Sequence, residues 1–247
     1  MKIAVPYFAL GLVVLGIVLF TTPTPDWGIW LVFACLFFLL ESFAVEVNDR
    51  LFQSSSVMVA MTVGVVFALN TETSATFAMV LLGATGALIP ADIRQKRWFQ
   101  PMANFGQLVL SGAAAGLVFD LTLGRLGEPT PSDLLLVAGV SVAASLVYTT
   151  VQTLAVRKAV QVVYPYDRLQ PWSHLGLLYT SQFLMGLIGG LIGASYVIAD
   201  REAILVLIVG VYGIGHMSLP RHGAVVEEVA ATLAGLRGVG PHSSAVA

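Results

Sequence analysis

Charge is what this sequence has least of. Asp, Glu, Lys and Arg make up 11% of its 247 residues, against roughly 25% in a soluble domain. A soluble chain that is 57% apolar, with a mean hydropathy of +0.87, would expose large apolar patches and aggregate. Composition therefore excludes a soluble globular domain and points to an integral membrane protein. Cysteine is nearly absent. The one thiol, Cys35, lies inside an apolar run, which excludes an intrachain disulfide and gives it the part of a small core hydrophobe.

Catalytic and metal-binding signatures are missing as well. No H-E-x-x-H, paired-Glu or G-x-S-x-G constellation occurs. His174, His222 and His242 fall in loops or the tail without metal-ligand spacing. The reading is a non-enzyme with no metal and no cofactor. Nucleic acid is excluded as a partner, because no basic soluble segment exists to carry it. The first apolar run ends at Phe20 and continues TTPTPDW, with no small-residue cleavage site, so it reads as an uncleaved span.

What the sequence does contain is a series of apolar runs broken by charge, Pro and Gly. They lie at 4–20, 28–44, 55–70, 74–91, 102–123, 133–156, 174–198 and 203–219. The chain length suits about eight spans of ~20 residues each, and the predicted class is an all-α integral membrane protein. The third and fourth runs are short and joined by Asn70-Thr71-Glu72-Thr73. Six spans plus a re-entrant hairpin over 55–91 is therefore the alternative to eight.

The cations set an orientation. Lys2, Arg50, Arg94, Lys96, Arg97, Arg157, Lys158, Arg168, Arg221 and Arg237 fall on one side of an eight-span layout, and only Arg125 and Arg201 on the other. Ten against two places both termini in the cytoplasm. Either span count satisfies this distribution. Arg94, Lys96 and Arg97 serve as topology determinants, with anionic lipid head groups as the ligand they would hold. Trp27, Trp30, Trp98 and Trp172 lie near span ends, where an indole suits the interface.

Between the second and third runs, AVEVNDRLFQSSS alternates Val45 and Val47 around Glu46 and passes a turn-like Asn48-Asp49. It reads as a short β-hairpin or amphipathic segment. Small residues recur four apart at Gly83/Ala87, Gly112/Gly116, Gly186/Gly190 and Gly189/Gly193, a spacing that lets helix backbones approach closely. Packing within one chain is favoured over a homodimer face. After Pro220 the composition changes, giving a transmembrane domain over 1–220 and a cytoplasmic segment over 221–247. In that segment Val226, Val229, Leu233 and Leu236 form a short a/d seam, suited to a cytoplasmic protein partner.

Polar groups inside the apolar runs are functional candidates, since lipid makes them costly. Glu41 closes the second run. Asn104, Gln107 and Ser111 share one face of the fifth, and Ser141, Ser145, Tyr148 and Gln152 one face of the sixth. Tyr179 and Gln182 open the seventh, and His216 lies near the end of the eighth. Three readings stay open for them: interhelical hydrogen bonding, a pocket for a small ligand or for something in the bilayer, and a catalytic or metal site. In the last, Glu41 and His216 could meet as a proton-relay or ligand pair.

The stretch RWFQPMANFGQLVLSGAAAGLVF resembles the central helix of membrane-associated sensor (MASE-type) domains, which precede GGDEF cyclases or HD-GYP phosphodiesterases in bacterial cyclic-di-GMP proteins. Glu41 and Ser54-Ser55-Ser56 fit the same pattern. The resemblance implies a sensor or signal-coupling module of the bacterial inner membrane. Neither a GGDEF nor an HD-GYP signature is present, so no enzymatic output carries over. The alternative is a solute-binding subunit of an uptake transporter, like the substrate-binding components of energy-coupling-factor systems.

Overall fold

A computed structural model describes residues 4–22, 26–42, 45–48, 51–53, 56–70, 73–87, 99–126, 130–163 and 175–198. The chain divides into two compact units, Met1–Leu205 and Val206–Ala247. All described residues belong to the first. The expected eighth run at 203–219, the 220/221 boundary and the 226/229/233/236 seam lie outside the described residues.

The other seven apolar runs are all helices. They are α1 (Ala4–Thr21), α2 (Trp27–Ser42), α3 (Ser56–Ala68), α4 (Ala75–Gly86), α5 (Phe99–Thr122), α6 (Leu134–Val163) and α7 (Leu175–Ile198). Between α2 and α3 the expected hairpin forms: β1 (Val45–Asn48) pairs antiparallel with β2 (Leu51–Gln53), with Glu46 opposite Phe52. Four segments, Ala4–Thr21, Pro101–Arg125, Pro131–Lys158 and Leu178–Ile198, are long and apolar enough to cross a membrane. The chain is thus compatible with a multi-pass membrane protein. Trp27–Leu40, Ser56–Ala68 and Ala75–Gly86 are apolar but shorter.

The two shortest of the described α-helices are the most buried. Every residue of α3 is buried, and most of α4 with it. A helix apolar on all faces has no polar side to show solvent and must be enclosed. Enclosure comes from α2, α5, α6 and α7 around α3, and from α1, α2 and α5 around α4. The tip of the α3–α4 hairpin lies where α2 begins and α5 ends. Trp27 meets Phe77 edge-on at 6.4 Å, and Asp120 binds the start of α4.

Two side chains depart from their expected places. Trp30 is buried rather than interfacial, and its Nε1–H donates to the Ala78 carbonyl at 3.1 Å. A buried indole needs such a partner. Cys35 is exposed, not in the core. It shares an outward stripe with Leu31 and Leu39, one turn either way, whereas Phe33 and Phe37 turn inward. Trp98 and Trp172 lie outside the described residues.

The position of Cys35 makes α2 testable with the natural thiol. In intact membranes, a charged impermeant maleimide should leave Cys35 unmodified from either side, because the thiolate that reacts does not form in hydrocarbon. The same reagent should label it once the protein is unfolded in detergent. Rapid labelling before unfolding would remove α2 from the bilayer.

Candidate functional site

The polar residues of the sixth run converge on one seam. Ser141, Ser145 and Thr149 follow one another at four-residue spacing along α6 and so share a face. Against that face lies α7, antiparallel. Ser141 Oγ donates to the Gly186 carbonyl at 2.8 Å. Ser145 Oγ lies 3.0 Å from the Gln182 carbonyl and 2.8 Å from that of Val142, one proton shared between two acceptors. One further turn along, Thr150 Oγ1 and the Tyr179 hydroxyl pair at 3.0 Å. From α3, Thr62 Oγ1 reaches the Gly189 carbonyl at 3.1 Å.

The Ser141, Ser145 and Thr62 bonds end on backbone carbonyls, which requires the helices to be nearly in backbone contact. The glycines of α7 supply this. A Cβ on Gly190 would stand 2.5 Å from Ser141 Cβ, and one on Gly189 would stand 2.5 Å from the Met58 carbonyl oxygen. The interleaved pairs divide the labour, Gly186 and Gly190 toward α6, Gly189 and Gly193 toward α3. Both pairs pack within the chain, as their spacing suggested.

The seam also holds surplus polar capacity. Thr149 and Gln182 are 2% and 4% exposed, yet among the described residues Thr149 Oγ1 and Gln182 Oε1 have no hydrogen-bond partner. Tyr148, adjacent in the chain to Thr149, is buried too. Of the expected site residues, the structure brings Ser145 and Gln182 together, with Tyr148 on the same helix. Gln152, one turn beyond, is half-buried. Asn104 and Gln107 are half-buried on α5, and Ser111 back-bonds to the Gln107 carbonyl at 2.8 Å. Glu41 lies in the last turn of α2, but its side chain is outside the described residues, as are Arg94, Lys96, Arg97 and His216. Among the described residues, no group of His, Cys, Asp and Glu is placed to hold a metal ion.

Sequence reading missed a polar constellation built on Asp120. Asp120, near the end of α5, accepts from the backbone N–H of Ala75 at 2.8 Å, from that of Thr76 at 3.0 Å and from Ser74 Oγ at 2.8 Å. Ser74 in turn caps α4, accepting from Phe77 N–H at 3.2 Å. A carboxylate suits the positive end of a helix and satisfies donors that no intrahelical carbonyl can reach. Ser74 before an apolar run was a visible cap signal. Nothing local tied it to a carboxylate 46 residues away.

No family model, curated protein or solved structure matches the chain.

Two outcomes follow for stability, each measurable by thermal unfolding of the purified protein. Asp120→Ala strands the α4 donors and should cost about 2–3 kcal/mol, with Asp120→Asn losing less because it keeps one acceptor oxygen. Gly189→Ala drives a methyl into the Met58 carbonyl and should cost about 1–3 kcal/mol. Gly139→Ala is the control, since nothing stands within 4 Å of its Cβ position. It should be neutral or gain up to about 1 kcal/mol from helix propensity.

Proposed function

We propose that the chain is an eight-span protein of the bacterial inner membrane with both termini cytoplasmic. It acts as a non-enzymatic sensor or signal-coupling module that passes a stimulus to a cytoplasmic protein partner. The observation that carries this reading is the mounting of α7. It is packed on two sides through its glycines and tied to α6 and α3 by hydroxyl-to-carbonyl bonds. Such flat contacts permit the small helix shifts by which switching proteins commonly move. In the chain, α7 leads toward the C-terminal segment that carries the 226/229/233/236 seam.

Two observations support the span count and orientation. The hairpin tip lies beside the ends of α2 and α5, as it would if α3 and α4 each took one pass of an alternating path. The cation asymmetry of ten against two agrees with cytoplasmic termini. The MASE-type resemblance supplies the kind of output, a partner or domain of cyclic-nucleotide signalling.

Removing residues 223–247 tests the coupling. Gentle solubilisation and affinity capture of the full chain should retain a cytoplasmic signalling partner, and the truncated chain should lose it while keeping its thermal midpoint. An unchanged set of partners would overturn the coupling reading. Capture of an ATPase with a coupling subunit would move the chain to the solute-uptake class.

A further inference from the structure

One layer of the bundle is polar, enclosed and incomplete. Helix α3 begins at Ser56, and its Met58 carbonyl lies against Gly189 of α7. Gln182 shares the α3-facing side of α7 with Gly189 and Gly193, being seven and eleven residues from them. Seven residues amount to about 10 Å along a helix, whereas the two residues of α3 before Met58 cover only about 3 Å. Gln182 therefore lies past the end of α3, where that helix offers it no partner.

Helix α6 reaches the same layer. Ser145 Oγ on the Gln182 carbonyl sets the register, and Thr149 is the next residue on that face of α6. Because the helices are antiparallel, Thr149 lies toward the start of α7, the direction in which the Gln182 side chain leans. Helical hydroxyls such as Thr62, Ser111, Thr150 and Thr180 bond back to the carbonyl four residues earlier. Thr149 does not, and Gln182 Oε1 is likewise unpartnered, although both residues are more than nine-tenths buried. The great majority of buried polar atoms in proteins are paired. Among the described residues Thr76 Oγ1 is also unpartnered, at the start of α4, but Thr149 and Gln182 put a free donor and a free acceptor on facing helices. That juxtaposition points to an occupant.

We propose that this layer binds an uncharged ligand through an O–H group, which donates to Gln182 Oε1 while its oxygen accepts from Thr149 Oγ1. The seam side chains Ser141, Ser145, Thr149, Thr150, Tyr179 and Gln182 are all neutral. A charged ligand would gain no counter-ion from them and would be costly to bury. A hydroxyl matches one free acceptor and one free donor at once. The ligand is either a small alcohol or an ordered water, which share this chemistry. The site gives the sensor reading a ligand class, and rests on that reading only for its purpose, not for its existence.

A double-mutant cycle on the purified protein tests occupancy without knowing the ligand. Thr149→Val and Gln182→Met keep shape and remove polarity. If the layer is occupied, each should lower the thermal midpoint by about 2–4 °C, and the double variant should lose no more than one single variant. Thr149→Ser should behave as the wild type. If the layer is dry, removing an orphan polar group relieves its desolvation penalty, so each variant should raise the midpoint and the gains should add. That result overturns the proposal. Should Gln182→Met fail to fold, the sign for Thr149→Val set against Thr149→Ser decides alone. Added glycerol separates the sources: stabilisation of the wild type beyond that of Thr149→Val identifies an alcohol, and equal stabilisation a water. These readings concern the isolated protein, so their failure leaves the coupling reading to stand or fall on partner capture.

Discussion

Close backbone approach is the constraint on which the rest of this bundle depends. In hydrocarbon, apolar side chains gain nothing by leaving lipid for protein, so helices associate through packing and hydrogen bonds. The glycines of α7 bring its axis against α6 and α3 together. Only at that distance do short hydroxyls such as Ser141 and Thr62 reach carbonyls on a neighbouring helix. The same device joins α4 and α5, where a Cβ on Gly112 would stand 2.5 Å from the Met79 carbonyl oxygen and one on Gly83 would stand 2.6 Å from that of Leu108. A larger side chain at any of these places would separate backbones and unmake the bonds that closeness allows.

Short central helices create a second demand. The 13 residues of α3 and 12 of α4 rise only about 18–20 Å, well short of a hydrocarbon core of about 30 Å. Helix ends carry backbone groups that need partners. At the hairpin tip the need is met by Asp120 and Ser74. A carboxylate there serves structure, since its oxygens are committed to the start of α4. At the other end, the layer just past Ser56 is where Gln182 and Thr149 have polar atoms to spare. Both ends of the hairpin thus keep some polar capacity among the described residues, Thr76 Oγ1 beside the Asp120 cap and Thr149 and Gln182 past Ser56.

Helix positions were legible because apolar runs and their Pro, Gly and charged breaks are local features. The β1–β2 hairpin was legible from alternation around a turn-like pair, and the stripe of Ser141 and Ser145 from helical arithmetic. What stayed hidden depends on pairing across the chain. Which neighbour each glycine pair faces is decided by three helices at once. The inward turn of Trp30 depends on a carbonyl in α4, and the Asp120 cap on the meeting of α5 with α4. Cys35 was misplaced because a run apolar on all faces does not reveal which face turns outward. Thr149 was overlooked for a related reason: it adjoins Thr150, and only one of the two back-bonds.

The same contrast reorders the candidate residues. For Ser141 and Ser145 the sequence left interhelical hydrogen bonding and a ligand pocket both open; their protons are directed to α7 carbonyls, and they act as fasteners. The residual capacity sits one turn further on, at Thr149 and Gln182. This division has a mechanical consequence for the proposed ligand. Toward the hairpin tip, α7 is held on both sides by Thr62, Ser141 and the close glycine contacts. Past the start of α3 only α6, among the described neighbours, ties to it through Ser145 and the Thr150–Tyr179 pair. An occupant bridging Thr149 to Gln182 would add to the α6–α7 tie where the α3 tie has ended. Its binding energy would therefore bear on the tilt of α7 about its glycine-packed half rather than on the bundle as a whole. Differential binding between two tilts is what a ligand needs in order to shift their populations.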